Sequence, residues 1–136
     1  MDIEAARAYV RDNHQAVLAT FRQDGTPQMS PVTVGVDTGG RLVISSRETA
    51  YKVRNLYRDP RASLCVFPDS FFGPWIQVSG RARIISLPEA MEALVDYYRT
   101  LSGEHPDWDD YRAAMVRDQR CVISIEIEHA GPDRSG

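Results

Sequence analysis

Lysine is nearly missing from this 136-residue chain: of its 16 basic residues only Lys52 is a lysine, and the rest are arginines. Cysteine is scarce too, with Cys65 and Cys121 the only two. Neither belongs to a CxxC pair or a Cys/His pattern, which excludes a zinc ribbon or a dithiol redox motif. Each lies in an apolar, strand-like run, so both are expected to be buried and reduced, in the cytoplasm. The three histidines, His14, His105 and His129, stand far apart and fit no HxxxH or HExxH spacing, so no metal site is expected. No apolar run approaches the length of a membrane span, and Met1-Asp2-Ile3-Glu4-Ala5 does not open a signal peptide. The P-loop, a GxGxxG following a strand and the GxSxG elbow are all absent, which removes the common phosphate cradles and the α/β-hydrolase nucleophile. A net charge of -3 argues against nucleic acid or an anionic membrane as partner.

What is present fits one globular domain covering residues 1–136, with 43% apolar residues. Helical spacing of Ile3, Ala6 and Val10, with Asp2 as cap, predicts a helix over Ile3–Asn13. The period then changes. Strands are expected at Ala16–Phe21, Gln28–Asp37, Arg41–Ser46, Arg61–Phe67, Trp75–Ile85 and Cys121–Glu128. Asp24-Gly25 marks the first tight turn. A short helix capped by Thr49 should fill Ala50–Tyr57 and stop at Asp59-Pro60. Pro88 should open an amphipathic helix ended by Ser102-Gly103, and Asp107 should cap a second one. The polar tail Ala130–Gly136 is expected to fray. Six strands joined mostly by hairpins predict a mainly β fold, an antiparallel barrel with peripheral helices.

Two segments carry candidate chemistry. Ser45-Ser46-Arg47-Glu48-Thr49-Ala50-Tyr51-Lys52 runs from a strand end into a helix and combines hydroxyls, an Arg and the single Lys. A helix's first turn has free N–H groups that favour an anion, and Arg47 and Lys52 supply charge for a phosphate. The competing reading is two solvated surface cations. The aromatic loop Phe71-Phe72-Gly73-Pro74-Trp75 could cover a planar ring, seal a dimer interface or pack a core. The acidic group Glu104, Asp107, Asp109 and Asp110 is read as carboxylates suited to a helix dipole, without a metal.

Several segments together resemble the split β-barrel superfamily of pyridoxamine 5'-phosphate oxidase, and most of all its deazaflavin (F420)-dependent reductase branch. They are Val17-Leu18-Ala19-Thr20, Asp24-Gly25-Thr26-Pro27-Gln28-Met29-Ser30-Pro31-Val32, Lys52 to Ser63, Val78-Ser79-Gly80-Arg81-Ala82, and Gly103 to Arg112. The resemblance implies an FMN-binding-like split barrel that forms a homodimer, with two cofactor sites between the subunits. It implies that the strand bearing Gln28, Ser30, Pro31 and Val32 lies along the flavin-type ring. Ser45, Ser46, Arg47 and Lys52 would meet the phosphate, and Trp75 and Gln77 would approach from the other subunit. Many relatives carry an Arg two residues before this Lys; here the residue is Ala50, which leaves Arg47 to substitute or the phosphate more weakly held. The usual aromatic C-terminal ending is replaced by His129-Ala130-Gly131-Pro132.

The function so implied is an F420-dependent oxidoreductase passing hydride between reduced deazaflavin and a small conjugated acceptor. Branch resemblance and the Arg-rich composition favour F420 over FMN. Solvent or Tyr51 would supply a proton. The alternatives are an FMN-dependent oxidase or reductase, for which a second basic cluster is missing, and a non-catalytic binder of a cofactor or tetrapyrrole, with His129 as the residue to test for haem.

Overall fold

The computed structural model describes residues 1–135. In chain order the elements are α1 (Ile3–Asp12), β1 (Gln15–Phe21), β2 (Pro27–Thr33), β3 (Gly35–Val36), β4 (Leu42–Arg47) and α2 (Tyr51–Arg58). They continue with β5 (Arg61–Phe67), β6 (Pro74–Ile85), α3 (Met91–Ser102), α4 (Trp108–Arg117) and β7 (Arg120–Ser135). The seven strands form one antiparallel sheet in the order β2-β1-β5-β6-β7-β4-β3. Its two edges are consecutive in sequence, so the sheet must curl back on itself. The result is a split β-barrel.

The curl explains why the expected strand Gln28–Asp37 is two strands. At Val34 the chain leaves β1, which pairs with β2, and turns to pair β3 with β4. Val34 is fully buried at the corner, its N–H donating to the His14 carbonyl at 2.8 Å, while His14 Nδ1 contacts the Val34 carbonyl oxygen at 2.8 Å. Alternation sets the inside of the barrel: Ala16, Leu18 and Thr20 of β1 point in, with Ala62, Leu64 and Val66 of β5 and Ile76 and Val78 of β6. Thr20 is a polar residue in this core, and Asn55 Nδ2 satisfies it at 3.1 Å.

A second, smaller core lies on the other side of the sheet. Val43 and Val122 pack there against Ala90, Leu94, Val95 and Tyr111 from the α3–α4 pair. This is why β7 is buried on both faces from Cys121 to Ile125 instead of alternating in and out.

Four further sequence expectations need correction. α2 is capped at Ala50 with no side-chain bond, so Thr49 does not cap it; burial of Val53, Asn55 and Leu56 holds the helix instead. α3 begins at Met91, and Pro88 lies in the preceding turn, where its carbonyl accepts from the Met91 N–H at 3.2 Å. The tail does not fray through Ser135: β6 starts at Pro74, which leaves a strand edge for Asp133, Arg134 and Ser135 to pair with. An available ladder outweighs a Gly/Pro-rich composition. Finally, Cys121 is buried but Cys65 is exposed, because odd positions of β5 face outward.

Gly80 marks a close approach between β6 and β7. A Cβ there would sit 1.9 Å from the Glu126 carbonyl oxygen, so no larger residue fits the β6–β7 contact.

Candidate active site

The site is built where β4 ends, α2 starts and β7 begins. Pairing brings Arg47 opposite Arg120 and Ser45 opposite Val122. Residues directly opposite share a face, so Ser45 and Arg120 point to the α3–α4 side while Ser46 and Cys121 point into the barrel. Arg120 donates to Ser45 Oγ twice, from Nε at 3.2 Å and Nη2 at 2.9 Å.

Lys52 comes to the same place from α2. A buried polar knot fixes that helix: Asn55 donates to Thr20 Oγ1 and to Gln28 Oε1 at 3.0 Å, and its own Oδ1 accepts from Arg58 Nη2 at 3.1 Å. Arg58 also donates to the Phe21 carbonyl at 2.7 Å. Every polar atom of the Asn55 side chain is thereby used, and one turn away Lys52 is aimed at the cavity. Burial first, and the positive charge of Arg120 second, hold the Lys52 ammonium below its ordinary value of 10.5.

These side chains line a cavity of about 490 Å³ together with Gln15, Ala16, Pro31, Val32, Thr33, Phe67 and Tyr97. Pro31 and Val32 supply an apolar wall. Tyr97 enters from α3 and donates to the Thr33 carbonyl at 2.8 Å, and burial pushes its hydroxyl pKa up. The Gly103–Arg112 segment has a structural task behind it. Glu104 accepts from Arg99 Nε at 2.8 Å and from Trp108 Nε1 at 3.0 Å, and Asp107 caps α4 by accepting from the Asp110 N–H at 3.1 Å. Tyr111 closes the joint by donating to the Leu94 carbonyl at 2.7 Å. Glu104 and Asp107 thus secure the helix pair that presents Tyr97. Among the described residues no group of three or more His, Cys, Asp or Glu is placed to hold a metal.

Of the residues expected at a cofactor, the cavity gathers Pro31, Val32, Ser45 and Lys52. Gln28 is tied to Asn55 and Ser30 is half-buried on the inward side of β2, and neither lines the cavity. Ser46 is buried in the barrel and donates to the Arg47 carbonyl at 3.2 Å. Arg47 is exposed at the strand end and does not line the cavity either. Tyr51 is 68% exposed and lies outside it. Trp75 and Gln77 are on the outer face of β6, with Gln77 opposite Cys65.

That outer face is a second feature. Across five strands Met29, Ala19, Ser63, Ser79 and His129 stand in one row, with Ser63 Oγ and Ser79 Oγ 2.9 Å apart. Beside it Val17, Cys65, Phe67, Phe71, Phe72 and Trp75 border an apolar cavity of about 400 Å³. Met29, Phe71 and Phe72 are 68%, 63% and 74% exposed. Phe67 belongs to the walls of both cavities. Arg120, Tyr97 and Phe67 were missed in the sequence. Arg120 is one arginine among many, and its only local mark is its place just ahead of an apolar strand.

The family model for pyridoxamine 5'-phosphate oxidase matches residues 3–131. The chain belongs to that family.

Solved structures carry the same fold. Rv2991, a conserved hypothetical protein of Mycobacterium tuberculosis, is 22% identical with a TM-score of 0.78, over 99% of this chain and 85% of that one. An F420 reductase is 20% identical with a TM-score of 0.71, over 92% of this chain and 94% of its own. A haem-binding protein of Mycobacterium smegmatis is 23% identical with a TM-score of 0.70, over 98% of this chain and 57% of its own. Family membership makes an oxidoreductase or cofactor-binding role the coarse functional reading. Among the described residues no helix is long and apolar enough to cross a membrane.

Proposed function

We propose that this pyridoxamine 5'-phosphate oxidase family member binds coenzyme F420 in preference to FMN and acts as an oxidoreductase on a small conjugated acceptor. The observation that carries the reading is the floor of the 490 Å³ cavity, where Lys52 and Arg120 stand beside Ser45 and among the described residues neither makes an ion pair. Two neighbouring cations without a counter-charge suit a phosphate. Pro31 and Val32 next to them suit a planar ring. The residues therefore fit a flavin-type cofactor with its phosphate at Lys52 and its ring along β2.

When bound, reduced deazaflavin supplies a hydride. The chain's own part is to bind the phosphate, hold the ring face and exclude water with Phe67 and Tyr97. F420 is preferred because the segments quoted above resemble the deazaflavin branch, and an F420 reductase is among the structural neighbours.

We further propose a homodimer in which the apolar outer face is covered by a second copy, so that Trp75 and Gln77 complete the partner's site. The exposed Met29, Phe71 and Phe72 support this, since contiguous apolar patches on soluble proteins mark interaction sites. Two free thiols with no disulfide are in keeping with a reducing cytoplasm.

Fluorescence titration with F420 and with FMN, followed by reoxidation of reduced F420 with enone and quinone acceptors, tests the proposal. Tight F420 binding with acceptor-dependent turnover is expected. Preference for FMN would move the protein to the flavin branch. F420 binding without turnover would make it a cofactor carrier.

A further inference from the structure

We infer that Arg120 is the specificity-determining arm of an anion clamp that closes with Ser45 and Lys52 on the phosphoryl group of the bound ligand. The inference deepens the cofactor reading above and rests on it only for the ligand's name.

Three elements converge here: β4 gives Ser45, α2 gives Lys52 and β7 gives Arg120. Ala50 is packed against the barrel core and carries no charge, so the start of α2 offers the cavity Lys52 alone. The second charge comes from a strand 68 positions further along the chain, brought in by the β4–β7 ladder.

The Arg120 fork is held in an unusual way. Its Nε and Nη2 both donate to one neutral oxygen, Ser45 Oγ. A guanidinium edge with two parallel N–H groups matches two oxygens of a phosphate better than one hydroxyl. A phosphoryl group arriving beside Lys52 can take both N–H groups, and Ser45 is then free to donate its own proton to the ligand.

Glu48 is the acid placed to neutralise Arg120, since it lines a cavity on the other side of that arginine. One of its oxygens is turned elsewhere: Oε1 accepts from Tyr57 at 2.5 Å and from Ser86 at 2.9 Å. Among the described residues neither Arg120 nor Lys52 makes an ion pair with Glu48 or any other acid, and the positive charge of Arg120 acts on Lys52.

The backbone that delivers Arg120 is constrained. Gln119 sits at φ 52, in the left-handed region that non-glycine residues rarely adopt. Its N–H donates to the Val116 carbonyl at 3.1 Å and its carbonyl accepts from the Glu48 N–H at 2.8 Å. A left-handed residue just past the C-cap is a common way for a helix to stop. Here it ends α4 sharply and starts β7 with Arg120 already turned to the cavity.

The test compares wild type, Arg120→Gln and Arg120→Lys. Calorimetry uses inorganic pyrophosphate, and fluorescence titration uses F420 and a phosphate-free deazaflavin. Arg120→Gln should weaken pyrophosphate and F420 by about 10- to 100-fold and leave the phosphate-free compound unchanged. Arg120→Lys should recover only part of the loss, because an ammonium lacks the fork. Pyrophosphate that does not bind wild type, or that binds all three proteins alike, overturns the clamp. Equal weakening of the phosphate-free compound also overturns it, because the effect would then be structural. Pyrophosphate held through Arg120 by a protein that ignores F420 would keep the clamp and overturn the cofactor reading. F420 binding untouched by Arg120→Gln would do the reverse.

Discussion

The cation-floored cavity and the apolar outer face meet at Phe67, yet they are incomplete in opposite ways. The first has charge without an ion-pair partner among the described residues: Lys52 and Arg120. The second has apolar surface without cover: Met29, Phe71 and Phe72, with Val17 and Trp75 at the edge. Inside the barrel, among the described residues, no buried side-chain polar atom lacks a partner, and even Thr20 and Asn55 are paired. Completed interiors give stability, and unfinished surfaces give binding. On the proposed reading, the polar surface takes an anion and the apolar surface takes a second copy of the chain.

Neighbouring positions on one strand separate the two roles most strongly. Leu64 points into the barrel and Cys65 points out. Leu64→Ala should cost about 2–5 kcal/mol of unfolding free energy, because it leaves a cavity in a close-packed core. Cys65→Ser should change the stability of an isolated chain by less than about 0.5 kcal/mol. Denaturant melts of the two variants check the contrast.

The next effect is on the polar side. Lys52→Ala should weaken F420 binding by about 1.5–3 kcal/mol, the range for a hydrogen bond to a charged group. It should leave self-association unchanged, as read by sedimentation. A loss of both would mean the two regions are coupled through α2.

On the apolar side, Met29→Asp and Phe72→Asp should each weaken dimerisation by about 2 kcal/mol if these side chains anchor the interface. Cys65 gives an independent readout. It should react slowly with a thiol reagent in the dimer and quickly in either variant, while Cys121 stays unreactive. Burial pushes the Cys121 thiol up to about 12, with a further push from Glu48, so its thiolate is scarce as well as inaccessible.

The smallest expected effect is on pH dependence. Folding lowers the Lys52 pKa below 10.5, so the unfolded chain holds that proton more tightly. The charge costs stability below the lowered value, and this cost fades as pH rises through it toward 10.5. Ligand affinity moves the other way, because a phosphate needs the ammonium. F420 binding should fall as pH rises through the lowered pKa, and Lys52→Arg should flatten that fall.

Sequence made the barrel legible where alternation is strict, as in β1 and β5. It blurred where tertiary structure changes the rule. β7 is buried on both faces because α3 and α4 cover one of them, and no single-strand pattern reveals that cover. The break at Val34 comes from closing the sheet, and the pairing of Asp133 to Ser135 comes from the overhang of β6. At the site, local spacing found Ser45 and Lys52. It could not find Arg120, whose approach depends on the β4–β7 register. Arg47 looked the better candidate in sequence, but strand end and side-chain exposure leave it outside the cavity.

The proposed dimer joins the two unfinished surfaces into one site across two copies of the chain. F420 titration of a Met29→Asp variant shown to be monomeric tests it most directly. Binding should be lost or strongly weakened although Ser45, Lys52 and Arg120 are intact. A monomer that binds F420 as tightly as wild type would contradict it and confine the site to a single chain.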